Sequence, residues 1–257
     1  SEVVAAATAN SGERLPIQWK VQNNGVAITT SSTWFDSVWL STNNAFDEGD
    51  IFVGRFARVG ALAPGESYIR SIEWPIGIDF AGSYFAIVRT DSTNTVIEGT
   101  GESNNIRVSG SVTNIALSPV PELQVQSIVT PLTAFSGRSL RGEWTVLNSG
   151  GTAASPLWTD SIYLSLDRIL DRDIDIPIGF VNRNAAVAAG QSYTVTADLQ
   201  LPIGIGGNYY FVVVTDSTNR VYERNGEDNN IRISEAPITI SHLPPADLVV
   251  GDIVVPS

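Results

Sequence analysis

Apolar residues in this chain recur at every second position over short runs, and Gly, Pro, Asn and Asp punctuate the gaps between runs. In the second half, Leu140, Trp144 and Val146 fall on one side of a run, Asp160, Ile162 and Leu164 on one side of another, and Leu123 and Val125 on one side of a third. A period of two is the signature of a strand with one buried face. It predicts seven strands over 122–129, 138–148, 160–166, 176–181, 192–201, 208–215 and 229–240. No segment of ten or more residues carries a 3.6-residue apolar period, so no helix is expected.

The pattern repeats. Residues 90–107, TDSTNTVIEGTGESNNIR, return 125 positions later at 215–232 as TDSTNRVYERNGEDNNIR, with 13 of 18 positions identical. The same offset pairs Trp19 with Trp144, Asn23 with Asn148, Gly25 with Gly150 and Tyr68 with Tyr193. Such self-similarity marks a tandem array. We expect one unit at 1–121 with an incomplete first strand and a second at 122–246; 247–257 would be the opening strand of a third. The absence of an initiating Met and of a leader fits a mature or internal fragment of a longer array.

Seven short alternating strands per unit predict an all-β chain of two tandem immunoglobulin/fibronectin-like seven-stranded β-sandwiches. No Cys is present, so neither a disulfide nor a thiolate metal site is available, and Trp19 or Trp144 is expected to fill the centre of each core. In 215–232, Asp216, Asn219, Asn225, Gly226 and Asn229 are residues that tolerate tight turns, and the stretch is expected to form the hairpin between the last two strands.

An opening D/E-L-x-V, then W-x-V-x-N-x-G, a D-S-x-x-L-S strand and a closing D-S-x-N-x-V-x-E-x-x-x-E-x-N-N resemble CARDB domains, the cell-adhesion-related domain found in bacteria. These motifs stand here at 122–125, 144–150, 160–165 and 216–230, with first-unit counterparts for all but the opening. The resemblance implies immunoglobulin-like modules of large secreted or surface-anchored bacterial or archaeal proteins, with no enzymatic activity.

Charge narrows the partners. A net charge of -12 argues against nucleic acid, whose phosphates need a basic surface, and favours divalent cations. The longest apolar run, 209–214, is far short of the roughly 20 residues of a membrane-spanning helix, so no membrane insertion is expected. His242 is the only histidine and lies in the Pro-rich join SHLPP, with no repeated carboxylate partner, which disfavours a Ser-His-Asp site.

Three constellations carry candidate chemistry. The acidic loop with Asp167, Asp171, Asp173 and Asp175, matched by Asp47 and Asp50 in the first unit, offers hard oxygens of the kind Ca²⁺ gathers. A Glu/Asn cluster follows each sixth strand: Glu98, Glu102, Asn104 and Asn105, then Glu223, Glu227, Asn229 and Asn230. It either holds the hairpin's register through backbone N–H groups or forms a cation site shared with the acidic loop or with the linker to the next unit, with Glu102 and Glu227 as ligands. The third is an outward face with Trp39, Phe85 and Ile87 in the first unit and Tyr163, Tyr210, Val212 and Val214 in the second. It is expected to be an exposed apolar interface for a neighbouring repeat, a second copy or a sugar ring, the alternative being that local side chains cover it.

Together these readings predict a non-catalytic extracellular module of a surface stalk or fibre, stiffened by Ca²⁺ and self-associating. Pro-containing linkers at 117–121 and 243–245 would limit bending, and strand addition by 247–257 would complete a neighbouring unit. The alternatives are a carbohydrate- or protein-binding module, or an accessory domain of a secreted hydrolase.

Overall fold

The computed structural model describes residues 2–244, 247–249 and 251. The chain forms two compact units, Ser1–Ser118 and Pro119–Ser257. The boundary falls just before the expected 121/122, because residues after Ser118 are bound to the second unit. Of the anticipated third-unit strand, 250 and 252–257 lie outside the described residues.

Unit 1 contains β1 (Glu2–Ala5), β2 (Thr8–Asn10), β3 (Arg14–Gln22), β4 (Thr33–Ser41), β5 (Ile51–Val59), β6 (Ser67–Pro75), β7 (Gly82–Arg89), β8 (Ile106–Val108) and β9 (Thr113–Ala116). One sheet runs β1-β3-β6; the other runs β2-β9-β7-β4-β5, with β8 paired to β7. Unit 2 repeats this with β10 (Leu123–Val129), β11 (Thr133–Phe135), β12 (Ser139–Asn148), β13 (Trp158–Ser165), β14 (Ile176–Arg183), β15 (Ser192–Gln200), β16 (Gly207–Val214), β17 (Ile231–Ile233) and β18 (Ile238–Ser241). Its sheets run β10-β12-β15 and β11-β18-β16-β13-β14, with β17 beside β16. Each unit is the expected two-sheet sandwich.

The seven expected strand positions hold, but a short strand not expected, β11, follows the first, and the last is broken in two. The opening strand pairs antiparallel with β12 as β10, then crosses to the other sheet as β11, which lies parallel to β18. Pro131 stands at the crossing and has no N–H for a ladder. The expected strand over 229–240 is divided at Ser234, whose Oγ accepts from Phe211 N at 3.0 Å and donates to Ala236 O at 2.9 Å. Pro237 follows, again without a donor.

Alternation places Leu140, Trp144, Val146, Ile162 and Leu164 in the core of unit 2, as expected, and Leu15, Ile17, Trp19, Val38 and Leu40 in that of unit 1. Asp160 faces in among them, buried. Its carboxylate accepts from Trp144 Nε1 at 2.9 Å, from Tyr193 Oη at 2.9 Å and from Thr215 Oγ1 at 2.8 Å, while Trp158 Nε1 donates to Tyr193 Oη at 3.1 Å. The set recurs in unit 1, where Trp19 Nε1, Tyr68 Oη and Thr90 Oγ1 each donate to Asp36 at 2.8 Å and Trp34 Nε1 donates to Tyr68 Oη at 3.1 Å. Burial pushes the Asp160 carboxyl up, and the donors from Trp144, Thr215 and Tyr193 oppose it. One carboxylate therefore ties three strands across both sheets.

Replacing Asp160 with Ala leaves three buried donors bare, an expected loss of about 3 kcal/mol or more. Scanning calorimetry should show one of two transitions fall by roughly 10 °C while the other stays in place; a loss under about 1 kcal/mol would refute the role given to Asp160.

Candidate functional site

The repeated stretch forms the loop that leads from the sixth strand position to the seventh. After β7 the chain turns at Asp91 and Asn94, with φ of 44° and 55°, the left-handed region that Asp and Asn tolerate. Asp91 Oδ1 accepts from Thr95 N at 2.9 Å and Oδ2 from Val96 N at 2.8 Å. A 3-10 turn, Gly99–Asn104, follows. Glu98 N donates to Glu102 Oε1 at 3.1 Å, and Asn105 Nδ2 donates to Glu98 Oε2 at 2.6 Å. The fold thereby brings one oxygen each of Asp91, Glu98 and Glu102 within 4.8 Å of one another. Three hard oxygens from three side chains fit part of the shell of an oxygen-seeking divalent cation, with water able to supply the rest.

Unit 2 builds the same loop, and residues that open the unit take part in it. Asp216 and Asn219 are left-handed, at φ 40° and 52°, and Asp216 accepts from Arg220 N at 2.9 Å and Val221 N at 2.7 Å. Glu223 is buried; its Oε2 accepts from Asn230 Nδ2 at 2.8 Å and its Oε1 from Leu123 N at 2.7 Å. Glu122 also reaches this loop, where Asn229 Nδ2 donates to it and a Cβ on Gly226 would collide with its carboxylate. Burial raises Glu223 to about 7, with the like charges of Glu227 and Glu122 adding to the rise and Asn230 and Leu123 N opposing it. Glu227 is also raised, by burial and then by Asp216, Glu122 and Asp228.

Sequence reasoning picked out the Glu/Asn cluster but did not name Asp91, giving only its counterpart Asp216 a turn role, and did not bring in Glu122. Asp91 lies in the same repeated stretch as Glu98 and Glu102, which is the signal that would have found it. The acidic loops do not join the cluster: among the described residues, Asp47, Asp50, Asp167, Asp171, Asp173 and Asp175 form no such group of three. Their carboxylates close their own turns instead. Asp47 Oδ1 accepts from Gly49 N at 2.8 Å, Asp50 Oδ2 from Asp47 N at 3.0 Å, Asp167 Oδ1 from Ile169 N at 2.8 Å, Asp171 Oδ1 from Asp173 N at 3.0 Å and Asp175 Oδ2 from Asp171 N at 2.9 Å. The hydrogen bond from Asn43, then that from Gly49, lowers the Asp47 pKa.

The expected apolar face is also corrected. Ile87, Val212 and Val214 are buried within their own units, at 0%, 0% and 3% exposure. Each sits on a strand flanked on both sides: Ile87 between Trp39 and Val108, Val212 between Tyr163 and Ile233, Val214 between Ser161 and Ile231. Trp39, Phe85, Tyr163 and Tyr210 are half-buried. The Arg168 guanidinium lies 5.5 Å from the Tyr210 ring centroid. What stays open in unit 1 is a smaller aromatic group: Trp39 packs at 4.7 Å against Phe46 and 5.7 Å against Phe52, both exposed.

Comparison with known proteins places this geometry. The family model CARDB matches residues 1–109 and 120–233. No curated protein matches the chain. Among solved structures, the chain is similar to the crystal structure of the CARDB domain of the PF1109 protein from Pyrococcus furiosus in complex with di-metal ions. Identity is 20% and the TM-score 0.36, over 48% of this chain and 90% of that one. The solution structure of the same domain gives 18%, 0.35, 47% and 95%. Red sea bream transglutaminase matches at 14% identity and a TM-score of 0.29, over 94% of this chain and 31% of its own. No helix among the described residues is long and apolar enough to cross a membrane.

The raised Glu223 pKa has a definite sign. The folded chain holds a proton that the unfolded chain releases near 4.5, so this contribution to stability is full at low pH and lost as pH rises through about 7. In chelator, the melting temperature of unit 2 should fall over that window. The slope should flatten in Glu223→Gln; equal slopes in both proteins would contradict the assignment.

Proposed function

The chain belongs to the CARDB family, and from that premise we propose that it is a non-catalytic structural and adhesion module of a secreted or surface-anchored bacterial or archaeal protein, one stretch of a tandem-repeat stalk or fibre. The observation that supports the spacer reading is how fully the joining residues are tied down. On one side, Ser118 N donates to Ser11 Oγ at 2.8 Å and Ser118 Oγ donates to Ser11 O at 2.5 Å. On the other, Val120 O accepts from Gly151 N at 2.9 Å and Glu122 O from Ser149 N at 2.7 Å. Glu122 N donates to Asn148 Oδ1 at 3.1 Å. Pro119 fixes its own φ.

Glycine permits this seat: a Cβ on Gly150 would strike the backbone of 120–122, and one on Gly151 the Pro119 ring. Residues held this way contribute little of the free chain entropy that lets flexible linkers bend. A spacer that sets distance needs that economy. On this reading a Ca²⁺ at Asp91, Glu98 and Glu102 stiffens the closing loop of unit 1. Neighbouring repeats or second copies meet the open aromatic group of Trp39, Phe46 and Phe52.

Spin labels placed one on each unit should give a single narrow distance distribution, which a flexible Gly-Ser insertion after Ser118 broadens; an equally broad wild-type distribution would remove the spacer reading. In sedimentation velocity, growth into larger species with protein concentration, weakened by chelator, is expected. A monomer indifferent to both would remove calcium-dependent self-association.

A further inference from the structure

Each unit keeps a buried aspartate with the same donors, but the two differ in what covers it from the side. That side is the gap between edge strands of the two sheets, β5 and β6 in unit 1, β14 and β15 in unit 2. Register matches the positions: Phe56 stands opposite Asp36 as Val181 does opposite Asp160, and Arg70 opposite Trp19 as Val195 opposite Trp144. Unit 1 fills its gap. The Phe56 ring packs at 5.7 Å on Trp19, the Arg70 guanidinium lies 5.2 Å from the Phe56 ring, and Arg70 Nη1 crosses to donate to Ala57 O at 2.6 Å. In unit 2 valines occupy both places, beside a cleft of about 280 Å³ lined by Asp160, Val181, Asn182, Arg183, Tyr193 and Val195.

The polar lining changes as well. Asn182 and Asn184 stand where unit 1 has Ala57 and Val59, and both line the cleft. Arg183 keeps the place of Arg58, each guanidinium lying over the tyrosine that holds the aspartate, at 4.5 Å and 4.8 Å from the ring centroid. Arg183 Nε donates to Ala185 O at 3.0 Å, and among the described residues its terminal NH₂ groups have no acceptor. Thr159 Oγ1 donates to Asn182 Oδ1 at 2.9 Å, which leaves Nδ2 as a donor. Burial raises the Asp160 carboxyl, and Arg183 is among the groups that oppose the rise. A second anion would compete with Asp160 for that charge, and a cation would meet the guanidinium, so the cleft favours a neutral guest. Valines call for an apolar face, and an arginine with two amides calls for an edge of hydroxyls that donate and accept. The volume lies at the small end of ligand pockets, enough for one ring.

We propose that this cleft is a monosaccharide-binding site, in which one neutral pyranose packs on Val181 and Val195 and bonds through its hydroxyls to Arg183, Asn182 and Asn184. The pyranose is either a free sugar or the end unit of a glycan. Such a site gives unit 2 a ligand of its own, beyond the spacer role and independent of any cation.

Amide NMR spectra of the whole chain, titrated with glucose, galactose, mannose and their methyl glycosides, test it. At least one sugar should move the amides of 182–185, Tyr193 and Val195, saturating with a dissociation constant of about a millimolar, while Tyr68 and Arg70 of unit 1 stay in place. A methyl glycoside that binds as well as its parent sugar supports the end of a glycan, and binding of the parent alone supports the free sugar. Val181→Phe and Val195→Arg restore the plug that unit 1 carries on the same frame; either should abolish the shifts with the melting temperature of unit 2 at or above its starting value. Arg183→Met should weaken binding at least tenfold. No shift with any of these sugars up to roughly 100 mM would overturn the site, leaving a water-filled cleft only. Shifts that survive both plugging variants, or that benzoate or glucuronate produces and no neutral sugar does, would overturn it too.

Discussion

The structure depends most on a buried carboxylate in each unit. Asp36 and Asp160 lie between two sheets where an unpaired charge would be untenable, and each is held by an indole N–H, a phenol and a threonine hydroxyl drawn from different strands. Because the donors are on β12, β15 and the end of β16 in unit 2, the carboxylate on β13 sets the position of both sheets at once. Hydrophobic burial alone would hold these layers together. The hydrogen bonds fix how they face one another.

The threonine of that set also begins the closing loop. Thr90 and Thr215 donate inward to the aspartate, and the very next residues, Asp91 and Asp216, turn left-handed and gather backbone N–H groups. From there the chain carries its glutamates and asparagines to fixed places, Asn105 and Asn230 being buried. The core pin and the candidate cation site are therefore mechanically continuous: the loop is aimed by the residue that completes the core. In unit 2 the continuity extends through Glu223 to Leu123, so that the entry of the unit, its closing loop and its core share one run of polar contacts.

Family membership and geometry bear on different levels of the function. The CARDB match assigns the module class. The acidic group of unit 1, the seated linker and the open aromatic rings around Trp39 are properties of this chain, and the spacer reading proposed above is built on them.

By itself the sequence determined the tandem repeat, the sandwich, the inward aspartate and tryptophan, and the turn character of the repeated stretch. All of these follow from local chemistry: period-two burial, residue volume and the few side chains that accept a left-handed backbone. Tertiary structure alone decided the rest. Whether Val212 is open or covered depends on the strands beside it, and periodicity does not reveal that β17 pairs with β16. Whether Asp171 serves a cation or its own turn depends on which N–H lies nearest. Glu122 joins Glu223 only because the first and last strands of a sandwich close on each other, and a contact made across some hundred residues leaves no mark in the spacing of either.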